Sequence, residues 1–153
     1  AIGTKTASKG DNAIGIGAYA ESTAARATAV GPLAQANGEG SFAGGASAQA
    51  TGTNSVAIGG ATDGTLTKKE GTAAKAVGNN AIALGTNSTA TGQNSIAQGI
   101  SSVAQQTADI AIGANSKASG SEGTNKAGAA IAIGANANAT NISAVALGEQ
   151  ANA

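Results

Sequence analysis

The side chains that usually carry out catalysis are scarce in this sequence and are not clustered. The 153 residues include no histidine and no cysteine, so the usual proton shuttle, a thiol nucleophile and any disulfide are missing. Without histidine, the many serine and threonine hydroxyls cannot form a conventional catalytic triad. The carboxylates lie far apart and suggest neither an acid–base pair nor a calcium cage; they are Asp11, Glu21, Glu39, Asp63, Glu70, Asp109, Glu122 and Glu149. The sequence therefore predicts that the chain is not an enzyme and holds no metal.

One glycine motif resembles a cofactor fingerprint. Residues 15–20 read GIGAYA, which fits the GxGxxA pattern of dinucleotide-binding loops. That motif works by presenting a helix N-terminus to a pyrophosphate, and no helical pattern follows it here. Gly17 belongs instead to a regular series of glycines, so the sequence predicts no cofactor.

Charge and hydropathy argue against two further classes of function. Eight basic and eight acidic side chains give a formal net charge of +0, so nucleic-acid binding has no electrostatic support. No apolar run approaches the roughly 20 residues of a membrane-spanning helix. We expect that this fragment does not itself span a membrane, and that a signal peptide and any anchor lie outside it.

A glycine that recurs at every fourteenth position organises the chain. The spacing holds in three runs, from Gly3 to Gly59, from Gly85 to Gly113, and from Gly134 to Gly148. The residues one and three positions before this glycine are mostly large and aliphatic, and a small residue stands between them. Such an alternation has a period of two, which predicts a β-strand.

A second, shorter strand is predicted after each glycine. Small residues stand three and five positions later, as in Ala34 and Ala36, and a second glycine often follows at position seven. Each repeat therefore contains two strands and two turns. Fourteen residues are too few for a strand–helix–strand unit, but they suit one coil of a flattened parallel β-solenoid. We predict an all-β fold in which residues 1–153 form a single domain of about ten coils.

The size difference between the two strands suggests how a coil packs. We expect the aliphatic side chains to face inward against the small residues of the other strand. These predicted core residues are Ile14, Ile16, Val30, Phe42, Val56, Ile58, Ile82, Leu84, Ile96, Ile110, Ile112, Ile131, Ile133, Val145 and Leu147. The opposite side of the same strand is a flat row of small residues, which we expect to pack against other copies of the chain; the row contains Ala13, Ala27, Ser41, Ser55, Ala81, Ser95 and Ala144.

Two segments interrupt the repeat and are predicted to form loop excursions. They are residues 60–70 (GATDGTLTKKE) and residues 121–127 (SEGTNKA). Insertions in solenoids map to loops, and loops carry function more often than the strands do. The candidate ligand-binding residues in these segments are Asp63, Lys68, Lys69, Glu70, Glu122 and Lys126. The alternative is a tolerated surface insertion that binds nothing.

Several strings closely resemble the head repeats of YadA-like trimeric autotransporter adhesins. They are NSVAIGG at 54–60, NNAIALGTNSTATGQNSIAQG at 79–99, AIAIGANANA at 130–139 and SAVALGEQANA at 143–153. The sequence departs from the pattern at Thr28, Gly44 and Gln98 in aliphatic positions, and at Gln106 and Asn141 in place of the second glycine.

The resemblance implies a left-handed parallel β-roll, three copies of which form a homotrimeric head. It also implies a non-enzymatic adhesin displayed from the outer membrane of a Gram-negative bacterium. Such a head attaches to host extracellular-matrix proteins or cell-surface receptors, or self-associates, while a stalk and a membrane anchor lie elsewhere in the polypeptide. The resemblance transfers no individual binding residue to this chain.

Other functions remain open at this point. A passive structural spacer is one alternative. An ice-binding solenoid is another, but it requires a flat threonine array, whereas Thr53, Thr86, Thr91 and Thr140 fall at mixed phases of the repeat. A hexapeptide-repeat acyltransferase would need a period of six and usually a catalytic histidine, and the sequence has neither.

Overall fold

Short strands joined by tight turns make up the described chain. A computed structural model describes residues 1–61, 72–120 and 128–153. Three-residue strands are β2 (Ile14–Ile16), β4 (Thr28–Val30), β6 (Phe42–Gly44), β8 (Val56–Ile58), β10 (Ile82–Leu84), β12 (Ile96–Gln98), β14 (Ile110–Ile112), β16 (Ile131–Ile133) and β18 (Val145–Leu147). Two-residue strands alternate with them: β1 (Ala7–Ser8), β3 (Glu21–Ser22), β5 (Gln35–Ala36), β7 (Gln49–Ala50), β9 (Lys75–Ala76), β11 (Thr89–Ala90), β13 (Val103–Ala104), β15 (Lys117–Ala118) and β17 (Asn138–Ala139).

The strands of the described residues form two parallel sheets of nine strands each. All even-numbered strands lie in one sheet, which we call the aliphatic sheet, and all odd-numbered strands lie in the other, which we call the polar sheet. An isolated parallel bridge adds a tenth rung to each sheet, Ile2 with Ile16 in the first and Asn138 with Asn152 in the second. The chain therefore passes from one sheet to the other and back in every coil. The predicted all-β parallel solenoid with two-strand coils is confirmed.

Strand pairing continues in register across both interruptions of the repeat. Most paired residues stand one repeat apart in the sequence, as Ile82 and Ile96 do. Across the first interruption Val56 pairs with Ile82, and across the second Ile110 pairs with Ile131. The excursion residues themselves lie outside the described residues, apart from Gly60 and Ala61. Each ladder therefore stays continuous across both interruptions.

Two kinds of backbone conformation make the turns possible. A non-glycine residue in the left-handed region recurs about every seven residues, and asparagine, which tolerates this region well, is its most frequent occupant; examples are Asn80 (φ 56), Asn87 (φ 61) and Asn94 (φ 57). The glycines that recur once per repeat serve a different purpose, because coils approach each other closely there. A Cβ on Gly31 (φ +132) would lie 2.7 Å from the carbonyl carbon of Gly45.

The interior of the roll is built from alanine and serine, with few larger side chains. The central residue of almost every aliphatic-sheet strand is an alanine at 0 % exposure, from Ala29 and Ala43 through to Ala132. Alanines and serines of the polar sheet face them, as Ala36, Ala90 and Ser22 do. Several interior serines meet their hydrogen-bond requirement locally, as Ser55 does, whose Oγ donates to the carbonyl of Gly52 at 2.7 Å.

The prediction that the aliphatic side chains face inward is wrong. These residues flank the buried alanines and point to the outside of the roll, where each is half-buried or exposed in the single chain. The residues concerned are Ile14, Ile16, Val30, Phe42, Val56, Ile58, Ile82, Leu84, Ile96, Ile110, Ile112, Ile131, Ile133, Val145 and Leu147. The flat alanine and serine row is correspondingly interior, since Ala27, Ser41 and Ser95 are at most 1 % exposed.

Interior volume explains this reversal. Gly15 occupies an interior position, and a Cβ added there would lie 2.6 Å from Ser8 Oγ and 2.9 Å from Thr6 Cγ2. The interior at this coil cannot take one more methyl group, and at the equivalent position the other three-residue strands carry a fully or almost fully buried alanine, so the interior leaves no room for an isoleucine. Because successive strand residues point to opposite faces, alanine inside places the large residues outside.

Candidate binding surfaces

The outward side chains of the aliphatic sheet form the first candidate surface, which we call the aliphatic face. It consists of two rows, one from the first and one from the last residue of each three-residue strand. Ile58, Val145 and Leu147 are 45 %, 52 % and 64 % exposed, respectively. Nine rungs at about 4.8 Å, each about three residues wide, give a stripe of about 400 Å². A continuous apolar stripe of this size on a soluble domain is typical of an interaction site.

One irregular rung of this face is compensated within the coil. Gly44 lacks a side chain where neighbouring strands carry Val30 and Ile58. The ring of Phe42, two residues earlier, covers the vacancy, because a Cβ on Gly44 would lie 2.9 Å from Phe42 Cε1. The apolar surface therefore continues across a position that breaks the sequence pattern.

The outward side chains of the polar sheet form the second candidate surface, which we call the polar face. One row contains Glu21, Gln35, Gln49, Lys75, Thr89, Val103, Lys117 and Asn138. The other row lies two residues further along each coil and contains Thr23, Asn37, Thr51, Val77, Thr91, Gln105, Ser119 and Thr140. Amide and hydroxyl groups predominate on this face. Side chains of neighbouring coils also hydrogen-bond to each other, as Gln35 Nε2 does by donating to Glu21 Oε2 at 3.0 Å.

The turns between the sheets form two polar edges along the roll. Asparagine ladders run along them, with Asn80 Nδ2 donating to Asn94 Oδ1 at 3.1 Å. Near the first coil, Lys5 Nζ lies 5.5 Å from the ring centroid of Tyr19. Arg26 and Glu39 form an ion pair between exposed side chains, a type of contact that contributes little to stability.

Asp109, one of the acids that are scattered along the sequence, is a buried carboxylate. It is 0 % exposed, and its oxygens accept hydrogen bonds from the backbone N–H groups of Gln106 at 2.8 Å and Ala130 at 2.9 Å. A Cβ on Gly120, which precedes the second excursion, would lie 3.0 Å from the Cβ of Ala130. Asp109 therefore ties one coil to the residue at which the chain re-enters the next. Its position in the row of small interior residues, shortly before Gly113, was the available signal.

The predicted ligand-binding residues cannot be compared with this geometry. Asp63, Lys68, Lys69, Glu70, Glu122 and Lys126 all lie outside the described residues. Within residues 1–61, 72–120 and 128–153, no group of three or more acidic side chains could hold a metal ion. The same ranges contain no helix long and apolar enough to cross a membrane.

Comparisons with known proteins agree with this architecture. A family model described as the YadA head domain repeat matches most of the chain, over residues 8–34, 22–48, 36–62, 71–88, 90–116, 107–124 and 128–151. Among solved structures, the chain is similar to the collagen-binding domain of the Yersinia adhesin YadA, with 28% sequence identity and a TM-score of 0.56. That match covers 97% of this chain and 64% of the Yersinia chain. No curated protein sequence matches the chain.

The matched ranges follow the coils of the roll. They begin in β1 and continue to the last coil, and together they cover well over half of the residues. The glycine series, the alanine interior and the outward aliphatic pairs recur throughout these ranges. The chain therefore belongs to the YadA head domain repeat family.

Proposed function

We propose that this chain is the head of a non-enzymatic bacterial surface adhesin that attaches to host matrix proteins or cells, displayed from the outer membrane of a Gram-negative bacterium. The observation that carries the proposal is family membership across nearly all coils, together with likeness to a domain described as collagen-binding. The absence of histidine and cysteine supports a role in binding rather than catalysis. The chain spans just under two thirds of the Yersinia chain.

In this proposal, three copies assemble through the aliphatic face. A single roll leaves its large aliphatic side chains at the surface, because its own interior holds mostly methyl and hydroxymethyl groups. Covering them requires apolar surface from another molecule. The strands of the aliphatic face repeat about every 4.8 Å, so a partner surface with the same spacing can pack against every strand. A second copy of the chain has such a surface. The number three comes from the family resemblance.

The polar face is then the broad surface available to a ligand. It is flat, mostly uncharged and rich in amides and hydroxyls, with few charged positions such as Glu21, Lys75 and Lys117. Such groups can hydrogen-bond to the exposed backbone carbonyls of an extended polypeptide. A matrix protein with extended, solvent-exposed chains, such as collagen, fits this chemistry.

The test compares collagen and fibronectin binding by four forms of the protein at equal chain concentration. Wild-type assembly is expected to bind at least one matrix protein, and a dissociated chain is expected to bind more weakly because it loses multivalency. A variant with Thr89→Arg and Gln105→Arg on the polar face should lose most of the binding. Gln93→Arg, which changes an exposed edge residue, is the matched control.

Several outcomes would redirect the proposal. No binding to matrix proteins or to host cells would leave a spacer role. Equal loss of binding by the polar-face and edge variants would place the ligand elsewhere.

The candidate residues Asp63, Lys68, Lys69, Glu70, Glu122 and Lys126 stay a prediction, tested by replacing them with alanine and measuring the same binding. Ice binding is disfavoured because the polar-face row that contains Thr23 and Thr51 also carries Asn37 and Val77; measurable thermal hysteresis would revive it.

A further inference from the structure

Two polar side chains interrupt the aliphatic face. Thr28 lies in the row of first strand residues, and Gln98 lies in the row of last strand residues. Gln98 stands directly between Leu84 and Ile112 on the neighbouring strands. Its side chain is exposed in the single chain, and among the described residues its amide has no hydrogen-bond partner. If the aliphatic face is covered by another copy, the Gln98 amide is buried with it and requires a hydrogen-bond partner there.

The aliphatic face alone does not define how two copies align along their length. Its rungs repeat about every 4.8 Å, and nearly every rung presents the same kind of side chain. Two copies that slip by one rung would still place aliphatic groups against aliphatic groups. Apolar packing therefore favours assembly but discriminates weakly between registers, and a distinctive rung is required to select one.

We propose that Gln98 fixes the register in which copies of this chain assemble. When the rungs are level, the Gln98 amides of neighbouring copies meet, and each can donate and accept a hydrogen bond. A slip of one rung would instead bury each amide against the apolar positions of Leu84 or Ile112, without a partner. A single polar residue specifies register in coiled coils by the same physics, at some cost in stability.

Thr28 reinforces the same alignment from a distance. It lies in β4, four strands from Gln98 in β12 within the aliphatic sheet. Both polar rungs meet their counterparts in the level register. In a register slipped by one rung, Gln98 faces the position of Leu84 or Ile112 and Thr28 faces the position of Ile14 or Phe42, so both polar side chains lose their polar partners in the same slip. This inference rests on the proposed assembly through the aliphatic face.

The experiment counts isoleucine methyl signals in nuclear magnetic resonance spectra of the assembled protein. The chain has 12 isoleucines, most of them on the aliphatic face. A symmetric assembly in one register gives one δ1-methyl signal per isoleucine, and these are the signals counted. Gln98→Leu is expected to keep the assembled mass, to keep or raise the melting temperature, and to show two or more signals for Ile96, Ile110 and Ile112. A purely structural role for Gln98 would not produce a variant that is more stable and yet assembles in more than one register.

Two further variants make the outcome decisive. Gln98→Ala removes the amide without completing the apolar ladder, and it should also multiply the signals. Gln105→Leu changes an exposed glutamine on the polar face and should leave one signal per isoleucine. Single signals in both assembled Gln98 variants would overturn the register inference alone. A wild-type chain that sediments as a monomer would overturn the proposed assembly, and this inference with it.

Discussion

At the scale of single residues, alanine determines which side of each strand is buried. A methyl group fits between the two sheets in most coils, and at Gly15 there is no room even for that. Serine is the other residue that fits, provided that its hydroxyl finds a partner. Ser55 and Ser95 each donate to a carbonyl three residues earlier. Ser41 occupies the equivalent position, but its buried Oγ has no partner among the described residues.

Ser41→Ala should therefore stabilise the protein. The substitution removes a buried, unpaired hydroxyl and keeps the small size that Ala27 and Ala81 have at the same position, so we expect a gain of about 1 kcal/mol in the free energy of unfolding. Ser55→Ala is the matched control and should lose about 0.5–1.5 kcal/mol, since its hydroxyl is bonded. Denaturant unfolding measures both. A loss of stability in Ser41→Ala would contradict the assignment.

At the scale of strands, each three-residue unit separates two environments. Its central residue, alanine in every such strand except β2 with Gly15, faces the interior of the roll, and its flanking residues face outward. The same alternation that makes the strand recognisable in the sequence also makes it ambiguous, because either side could in principle be the buried one. The orientation has consequences that substitutions can measure.

Ala97→Val tests the inward orientation directly. Ala97 is at 0 % exposure in β12, so two added methyl groups would overpack the interior and cost about 1–3 kcal/mol of unfolding free energy. The same substitution at Ala7, on the outer side of β1, should change stability by no more than about 0.5 kcal/mol. Thermal or denaturant unfolding compares the pair. Equal effects at both positions would indicate that the two sides of the strand do not differ in space.

Asp109→Asn tests how the roll closes after the second excursion. The amide keeps the size of the carboxylate but turns an NH₂ group toward one of two backbone donors, at Gln106 or Ala130. We expect a loss of about 1–3 kcal/mol and faster hydrogen exchange at the Ala130 amide. Asp11→Asn, at an exposed aspartate, should change neither quantity. Unaltered exchange at Ala130 would contradict the role assigned to Asp109.

At the scale of the whole molecule, the aliphatic face should determine the state of assembly. Ile58→Lys with Ile112→Lys places two charges on that face, and burying unpaired charges is costly. We expect the sedimenting species to fall from about three times the 14.1 kDa chain mass to a single chain. Thr89→Lys, on the polar face, should leave the mass unchanged. An assembled double lysine variant would show that the aliphatic face is not the contact surface.

The fold could be predicted from the sequence, but the face of each strand that points into the roll could not. A glycine at every fourteenth position and a period-two pattern are local signals, and they determine the coils, the parallel pairing and the continuation past the excursions. Whether Ile82 or Ala83 faces inward depends on the interior volume of the roll and on apolar surface supplied by another molecule. The sequence of a single coil contains information on neither. Asp109 stands at the repeat position where other coils carry alanine or serine. Its burial inside the roll was not predicted, because that position was expected to face other copies. The left-handed sense of the roll stays a prediction from the family resemblance.

The parallel pairing of each strand with the equivalent strands of the coils before and after it has a consequence for how such heads evolve. Because the ladder joins each described coil to the adjacent coils alone, gaining or losing one whole repeat creates no new type of contact. Each such event would lengthen or shorten the rod by about 4.8 Å. In the proposed adhesin, the reach from the cell surface can therefore change by whole coils through duplication or deletion in the gene, while the fold stays the same.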